Sequence, residues 1–502
     1  MLFLIPSLLA AAVTGAAEVA PCTDSQSTRL KAQVTPELSQ TAAAGRFSGV
    51  VLVTCNGKPV YSAAYGMANR AKRIRNTLDT KFNLGSVNKM WTAVAIAQLV
   101  ERKQVDLNAP VGRYLPEITN VALRDRVLVK HLLSHTSGLG SYFTPEYMRN
   151  RAAITSASQL LPYFVRDSLE FAPGARFGYS NAGFAVLGMI VERVSGMNFY
   201  DYMKRNVLDR AGMSGAAYLT LPTTDATVAM GYATPPGTSD TLENVNLVEP
   251  SSTPAGGAFA TAQDLGAFAT ALWSGRLVSR ALVDEFTAGK VNMGGLSYAY
   301  GFGEGTSNGW REVGHNGGAP GVSADFKSFP AQGIDIVVLS NIEAPSADEM
   351  MSLVVSAVTG APRRRMVMRP PPGAPPGAPR RDGPAAAPAG GGQGASALPD
   401  SPIGRRAAGF LKAFGSGSPA MAAFIAEQMV QTDVSPMDRA KRGEPMRADI
   451  GALTFKQVVS ASDTELVLLV EGANAGSLEL TLRAEPVAPF RLLPSVSIVR
   501  LR

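Results

Sequence analysis

The sequence predicts an α+β fold in which an antiparallel sheet is flanked by helices, and three observations carry this prediction. Two β-rich runs, 48–54 and 59–66, flank an Asn56-Gly57 pair, which is a strong signal for a β-hairpin. Helical patterns with glycine and proline loops fill the long middle region, about 105–290. Strand-like segments return after it, near 309–315, 321–329 and 333–341. We therefore expect these last strands to pair with the first hairpin.

Two helical patterns lie beside this predicted sheet. From Ser86 the apolar residues recur at helical spacing, and polar residues at 101–103 close the pattern. A second helical pattern covers 345–358, directly after the last predicted strand. Both helices have enough apolar residues to pack against the sheet.

The chain has 502 residues, which is too many for one ordinary core, so we expect at least two domains. With 46% hydrophobic and 17% charged residues, a wholly disordered or collagen-like protein is excluded. Of the net charge of +7, residues 361–400 supply +4, because they hold six arginines and two aspartates. Charge concentrated in one such segment does not indicate a nucleic-acid surface, and we expect no nucleic-acid partner.

Composition divides the chain into four segments. Residues 1–20 hold a short apolar run followed by small residues, as in a secretory signal peptide, and the run is too short to span a bilayer. Residues 361–400 are rich in Pro, Gly, Ala and Arg and predict a linker. We expect a large domain over 21–360 and a small one over 401–502. The protein is expected to be exported, periplasmic or secreted, with no transmembrane segment.

Few side chains are available to hold a soft metal. The sequence has three histidines, His131, His135 and His315, and two cysteines, Cys22 and Cys55. A structural zinc site usually takes three or four such ligands, so we expect no metal and no cofactor. Whether Cys22 and Cys55 pair stays open, because the sequence gives no distance between them.

The scarcity of histidine favours a nucleophile activated without imidazole, such as a serine assisted by lysine or tyrosine. Ser86-Val87-Asn88-Lys89 fits this requirement. If Ser86 starts a helix, Lys89 lies on the same face, about 5–6 Å away between Cβ atoms. The helix N-terminus adds N–H groups that favour the anionic forms of acyl transfer. Taken alone, the pattern also fits a helix cap followed by a solvated lysine.

Two further motifs are candidates for the same site. Tyr179-Ser180-Asn181 precedes an apolar helical run, and a neighbouring ammonium would lower the pKa of Tyr179 enough for it to act as a base. The run 315–318, His-Asn-Gly-Gly, ends one predicted strand, and its glycines would let a substrate backbone lie along the strand edge. Alone, the first motif also fits a tyrosine packed at a helix start, and the second a β-turn.

The three motifs, in this order and spacing, resemble the serine β-lactamase and penicillin-recognising hydrolase family, in particular its class C β-lactamase, D-aminopeptidase and esterase branch. The resemblance covers about residues 40–358 and implies a β-lactamase-like fold with a helical insert domain. The second motif has the form Tyr-x-Asn in place of Ser-Asp-Asn, which points away from class A enzymes. Further matching segments are 131–139, Pro254-Ala255-Gly256-Gly257 with Thr261 and Asp264, and 338–341.

The resemblance implies a role for each motif residue. Ser86 would be the acylated nucleophile, Lys89 would shuttle its proton, and Tyr179 would be the base that also activates the deacylating water. The backbone N–H groups of Ser86 and Gly318 would form the oxyanion hole. Asn181 would hold the substrate amide or Lys89, and the other substrate-binding residues would be His315, Asn316, Gly317 and Gly318.

The implied function is a serine hydrolase acting on a small-molecule or peptide substrate, which includes peptidoglycan-derived peptides. β-Lactamases and carboxypeptidases commonly carry lysine where this chain has His315, and a neutral imidazole attracts a carboxylate less than an ammonium does. We therefore expect short esters or D-amino-acid amides and peptides to be cleaved better than β-lactams. The alternatives are a β-lactamase or D-Ala-D-Ala carboxypeptidase of the cell envelope and, from another class, a catalytically silent envelope-binding protein.

Two other motifs compete for a functional role. Residues 305–309 match the G-x-S-x-G nucleophile elbow around Ser307, but an elbow needs a helix after it, and 310–313 predict a strand. His131 and His135 lie four positions apart, but Leu132 stands where a zinc H-E-x-x-H motif needs glutamate. We expect both histidines to be structural.

Residues 401–502 predict a small α+β domain. Ser401-Pro402 and Ser418-Pro419 open two predicted helices, over 402–414 and 419–430. Alternating Leu478, Leu480 and Leu482 predict a strand with one packed face. The predicted strands are 453–460, 465–471, 477–485 and 490–500. The order resembles the cystatin or nuclear-transport-factor-like α+β roll, contains no catalytic constellation and predicts no particular partner.

Overall fold

The computed structural model of the chain describes residues 24–234, 242–244, 247–293, 296–363, 398, 401–429, 435–461, 465–483, 492 and 497–500. The predicted signal peptide, Cys22 and nearly all of the predicted linker lie outside the described residues. The chain forms two compact units, one from the described residues up to 363 and the other from those after 397.

Helices follow one another along most of the first unit and open the second. In the first unit they are α1 (Asp24–Ala43), α2 (Lys89–Glu101), α3 (Val121–Arg126), α4 (Val129–Leu133), α5 (Pro145–Asn150), α6 (Asn181–Ser195), α7 (Phe199–Met203), α8 (Asp209–Ala211), α9 (Ala262–Trp273), α10 (Arg280–Thr287) and α11 (Ser346–Thr359). In the second unit they are α12 (Pro402–Phe414), α13 (Gly417–Gln428), α14 (Pro436–Arg442) and α15 (Glu444–Ile450). Tighter 3₁₀ turns cover Gly85–Asn88, Val111–Arg113, Arg151–Ala153 and Ala157–Tyr163, and a π-turn, Lys204–Leu208, joins α7 to α8.

The strands cluster at the two ends of the first unit and at the end of the second. They are β1 (Gly49–Cys55), β2 (Lys58–Tyr65), β3 (Met67–Asn69), β4 (Ile74–Arg75), β5 (Phe82–Asn83), β6 (Tyr232–Ala233), β7 (Leu242–Glu243), β8 (Phe259–Ala260), β9 (Val291–Asn292), β10 (Ser297–Tyr298), β11 (Gly303–Ser307), β12 (Trp310–Ala319), β13 (Val322–Phe329) and β14 (Ile334–Ser340). The second unit adds β15 (Leu453–Ala461), β16 (Glu465–Gly472), β17 (Gly476–Arg483) and β18 (Ser497–Arg500).

The main sheet has the order β2-β1-β14-β13-β12-β11-β10-β9, and every described pairing in it is antiparallel. The β1–β2 hairpin turns at Asn56 and Gly57, both with positive φ, as the Asn-Gly signal predicts. β1 pairs with β14 along its whole length, from Gly49 opposite Ser340 to Cys55 opposite Ile334. The predicted pairing of the last strand with the first hairpin is confirmed.

Helices cover both faces of this sheet. Successive side chains of a strand point to opposite sides, so β1 contributes to the core on each face. Val50 and Leu52 of β1 belong to the larger core, which includes the apolar residues of α2, α6 and α9. Val51 and Val53 belong to a second core that α1 and α11 close. Strand β1 is therefore buried on both faces.

The second unit has its own antiparallel sheet, in the order β15-β16-β17-β18. Leu478, Leu480 and Leu482 are fully buried on one face, as predicted, and they form one core with apolar residues of α12 and α13. The helices and strands start within two residues of their predicted positions, except that the last strand is described only from Ser497. Helices α14 and α15 were not predicted.

Two observations bear on the environment of the protein. None of the helices in the described part of the chain is long and apolar enough to cross a membrane. Cys55 is disulfide-bonded and buried at the end of β1. The sequence has one other cysteine, Cys22, which lies outside the described residues.

Candidate active site

Ser86 and Lys89 lie together at the start of the first buried helix, as the S-x-x-K spacing predicts. Ser86 sits in the 3₁₀ turn Gly85–Asn88, and the α-helix itself begins at Lys89. The tighter turn brings Lys89 Nζ to 3.0 Å from Ser86 Oγ. The lysine is not a solvated charge, because its side chain is fully buried.

The partners of Lys89 determine where its lone pair would point. Nζ donates to Asn181 Oδ1 at 2.7 Å and to the Ala255 carbonyl oxygen, and both of these atoms are acceptors. A neutral amine has two protons to fill these two contacts, which leaves its lone pair facing Ser86. Burial lowers the pKa of Lys89 to about 7, while the charge of Glu249 opposes the shift. Lys89 is therefore suited to accept the Ser86 proton at neutral pH.

Tyr179 approaches Ser86 from the other side. Its hydroxyl donates to Ser86 Oγ at 2.8 Å, and Lys89 Nζ lies 4.9 Å from the centre of its ring. Ser180 caps the following helix α6 by accepting from the Gly183 N–H, which fixes Tyr179 directly before the helix. The residue stays partly accessible and is 43% exposed.

The expected low pKa of Tyr179 is wrong. Burial raises its pKa to about 12, and the hydrogen bond to Ser86 opposes this shift without cancelling it. The prediction assumed a permanent ammonium beside the phenol, but Lys89 itself loses much of its charge near pH 7. These two pKa values favour Lys89 as the base and Tyr179 as a proton donor.

Residues 315–319 of β12 have one edge close to Ser86. Its pairing with β11 ends at Gly314, so among the described strands only β13 pairs with residues 315–319. A Cβ built at Gly317 would collide with the Leu84 carbonyl oxygen and would lie 2.8 Å from the Ser86 amide nitrogen. A Cβ at Gly85 would lie 2.9 Å from the Gly318 nitrogen. The glycines thus allow the two backbones that carry the expected oxyanion donors to approach closely.

His315 and Asn316 lie in β12, and both side chains have partners within the protein. His315 is only 9% exposed, and its Nε2 and Nδ1 lie 2.9 Å from the Tyr298 hydroxyl and 2.5 Å from the Asn316 carbonyl oxygen. Asn316 Nδ2 donates to Asp348 of α11 at 3.4 Å. Burial and the charge of Lys89 lower the pKa of His315 to about 4, so the imidazole is neutral at pH 7. The substrate-binding roles of these residues stay predictions.

Glu249, a carboxylate whose charge raises the pKa of Lys89, was not predicted from the sequence. Its Oε1 accepts from the hydroxyls of Tyr142 at 3.0 Å and Tyr147 at 2.7 Å, and burial raises its pKa while these hydrogen bonds lower it. The tyrosines lie about a hundred positions earlier in the chain, so no local spacing could reveal the cluster. Glu249 is the charged group that opposes the lowered pKa of Lys89.

We expect Glu249→Gln to shift the acidic limb of the kcat/KM pH profile to lower pH. Glutamine still accepts from both tyrosines, but it no longer stabilises the Lys89 ammonium, so the pKa of Lys89 falls further. A pH profile of ester hydrolysis measures this, and the variant should keep a larger fraction of its own maximal kcat/KM at pH 6. Glu243→Gln, at an exposed position of β7, is the matched control. An acidic limb that stays in place or moves upward would contradict the role of Glu249.

The competing motifs do not assemble a second site. Ser307 closes the β11–β12 hairpin, and its Oγ donates to Glu312 Oε2 at 2.6 Å. His131 lies in the short helix α4, where its Nδ1 accepts from the Leu128 N–H. In the described ranges, no group of three or more His, Cys, Asp or Glu side chains is arranged to hold a metal.

Comparison with known proteins identifies a family for the first unit. Residues 34–360 match the Beta-lactamase family. The PbpX protein of Bacillus subtilis (strain 168) is 30% identical over 299 residues, which cover 59% of this chain and 71% of that protein. The penicillin binding protein of Bacillus halodurans aligns with a TM-score of 0.58 at 30% identity, covering 64% of this chain and 98% of that one.

A second solved structure shares the fold at lower identity. The D-amino acid amidase of Ochrobactrum anthropi SV3 aligns with a TM-score of 0.57 at 22% identity. The alignment covers 66% of this chain and 99% of the amidase.

Proposed function

Because this chain belongs to the beta-lactamase family and is a serine hydrolase, we propose that it cleaves short esters or D-amino-acid amides and peptides through an acyl-enzyme on Ser86. The proposal rests on two contacts of Ser86 Oγ, which lies 3.0 Å from the buried Lys89 Nζ and 2.8 Å from the Tyr179 hydroxyl. A serine with a neutral amine on one side and a phenol on the other has both a base and an acid for acyl transfer.

Acylation follows from these contacts. Neutral Lys89 takes the Ser86 proton as Oγ attacks the carbonyl carbon of the substrate. The oxyanion that forms is stabilised by the N–H groups of Ser86 and Gly318, each such donor contributing about 3 kcal/mol. Tyr179 gives its proton to the leaving oxygen or nitrogen as the bond to carbon breaks, and the Lys89 ammonium restores the phenol. Deacylation repeats the sequence with water as the nucleophile.

The substrate preference rests on the state of His315. A β-lactam or a D-Ala-D-Ala terminus presents a carboxylate, which a permanent cation at this position would attract. The buried His315 has a pKa of about 4, and both its ring nitrogens already have partners in the protein. A hydrogen bond to a charged group is worth about 1.5–3 kcal/mol and a neutral one about 1, a difference of roughly tenfold in binding. The D-amino acid amidase among the similar structures agrees with this preference.

A substrate panel tests the proposal. We expect kcat/KM for p-nitrophenyl butyrate or D-Ala-p-nitroanilide to exceed that for nitrocefin and for a D-Ala-D-Ala peptide. His315→Lys should move the ratio toward nitrocefin if the variant folds. A wild-type preference for nitrocefin of about tenfold or more would overturn the argument and favour the alternative, a β-lactamase or D-Ala-D-Ala carboxypeptidase of the envelope.

We also propose that the residues after 400 form a separable domain. The second unit has its own core and sheet, and Lys89 and Tyr179, which contact Ser86, belong to the first unit. Limited proteolysis within 365–398 is expected to release an N-terminal fragment that keeps its esterase activity. Loss of activity on clipping would show that the C-terminal unit shapes the active site.

Export to the periplasm or outside the cell completes the proposal. The apolar run within 1–20 supports it, and so does the disulfide-bonded Cys55, because disulfides persist mainly in oxidising compartments. An exported enzyme of this kind would meet peptidoglycan-derived peptides.

A further inference from the structure

Two of the three histidines are joined through one buried tyrosine. His135 Nε2 lies 3.1 Å from the Tyr298 hydroxyl, and the same hydroxyl lies 2.9 Å from His315 Nε2. His135 is completely buried, and Tyr298 is 3% exposed. Tyr298 reaches this position from β10, which is two strands away from β12 in the main sheet. His135, Tyr298 and His315 thus form a hydrogen-bonded row, which connects the loop after α4 with strand β12 beside Ser86.

The two ends of this row fix the direction of every hydrogen bond in it. At one end, the Ser180 backbone N–H donates to His135 Nδ1 at 3.1 Å, so this nitrogen carries no proton. A neutral His135 then has its proton on Nε2 and donates it to the Tyr298 oxygen. At the other end, the Asn316 carbonyl oxygen can only accept, so His315 carries its proton on Nδ1. His315 Nε2 is left to accept from the Tyr298 hydroxyl.

Both rings are neutral in this arrangement. Burial and the charge of Lys89 lower the pKa of His135 and of His315, and burial raises that of Tyr298. A second proton on His135 would place two donors against each other at the Ser180 N–H, and a second proton on His315 would remove the acceptor of the Tyr298 hydroxyl proton. The row therefore has one stable set of tautomers.

His135 makes three contacts that fix Tyr179 and its two neighbours in the chain. Its carbonyl oxygen accepts from the Gly178 N–H at 2.8 Å, and its Nδ1 accepts from the Ser180 N–H, so the residues before and after Tyr179 are both fixed. Its ring also lies against the Tyr179 ring, with the centroids 4.2 Å apart. His135 adopts a φ of 55°, a conformation that a non-glycine residue keeps only when its surroundings impose it.

We propose that the hydrogen-bonded row His135–Tyr298–His315 is a positioning element that sets the place of Tyr179 relative to the Gly317–Gly318 strand edge. His135 fixes the loop that carries the proton donor, His315 belongs to the strand that carries the expected oxyanion donor, and Tyr298 joins the two. His135 and Tyr298 act through Tyr179 and do not touch Ser86 in any described contact. This inference rests on the proposed acyl transfer at Ser86.

The first test removes the central hydroxyl. Tyr298→Phe should lower kcat for p-nitrophenyl butyrate roughly tenfold to a hundredfold, because a small misplacement of a reacting group has this effect, while KM changes little. Tyr300→Phe is the matched control, since it removes the hydroxyl of a tyrosine two residues later that packs on Phe286. An unchanged kcat in a folded Tyr298→Phe enzyme would overturn the positioning role. Absence of any turnover in the wild-type enzyme would count against acyl transfer instead.

The second test reads the tautomers directly and does not depend on a variant that folds. The chain has only three histidines, so ¹⁵N-histidine NMR of the full-length wild-type protein gives few signals to assign. We expect His135 to carry its proton on Nε2 and His315 on Nδ1 at pH 7. Where Tyr298→Phe folds, the His315 signal should shift and the His131 signal should not. Protonation of either His135 or His315 on both nitrogens in the wild-type protein at pH 7 would overturn the proposal.

Discussion

Replacing Ser86 by alanine is expected to abolish turnover of p-nitrophenyl esters and covalent labelling by a fluorophosphonate or penicillin probe. Ser86 Oγ is the atom on which both Lys89 and Tyr179 converge, so removing it leaves the base and the acid without a nucleophile. Loss of a nucleophile of this kind lowers kcat by about 10⁴-fold or more. The measurement is kcat/KM together with intact-protein mass spectrometry after exposure to the probe.

Ser307→Ala is the matched control for this experiment. Ser307 is also a buried serine in a motif typical of hydrolases, but its hydroxyl donates to the Glu312 carboxylate, which is paired with Lys327, and it makes no described contact with Lys89 or Tyr179. The variant should be labelled and should turn over esters as the wild-type protein does. Full labelling of Ser86→Ala would show that the nucleophile lies elsewhere.

The second large effect concerns Lys89 and Tyr179, which are expected to act as one unit. Lys89→Met and Tyr179→Phe should each lower kcat/KM by roughly 10²–10⁴-fold, the contribution of a positioned acid or base. The double variant should lose little more than either single variant. Lys89 takes the Ser86 proton and returns a proton to Tyr179 after Tyr179 has protonated the leaving group, so loss of either residue interrupts the same proton path. A double-mutant cycle on kcat/KM measures the coupling.

Lys81→Met controls for the loss of a lysine close in sequence to the site. Lys81 pairs with Asp225 at 2.9 Å, and its side chain is partly exposed. This variant should keep nearly full activity. Strict additivity of the Lys89 and Tyr179 losses would exclude a shared proton path.

Local spacing was sufficient to predict some of the site. Ser86 and Lys89 are three residues apart, and a single turn brings them together whatever the rest of the chain does. The hairpin and the closing strands were predictable for the same reason, since turn chemistry and alternation are local. The tight 3₁₀ form of the Ser86 turn was not, because the approach of the Gly317 backbone to Leu84 and Ser86 is a long-range contact.

Long-range burial explains what the sequence could not reveal. The pKa of Tyr179 is raised and not lowered because desolvation outweighs its neighbours, and desolvation depends on the whole fold. The link between His135 and His315 could not be predicted, because it needs Tyr298, which lies 163 positions after His135. Thr261 and Asp264, matched only as part of the family pattern, form the capping box that opens α9.

The pairing of β1 with β14 has a consequence for how the chain reaches its folded state. Thr54 and Asp335 meet in the sheet although 281 positions separate them, and both faces of β1 stay without a complete core until that meeting occurs. Folds dominated by such distant contacts acquire their structure slowly, since the entropy of closing the intervening chain comes before the contacts that stabilise it. A nascent chain that ends before residue 334 would present β1 with an unpaired edge and an uncovered apolar face. Expression fragments of this enzyme should therefore extend past α11, because shorter ones lack either β14, which pairs with the first strand, or the helix that covers the second face of that strand.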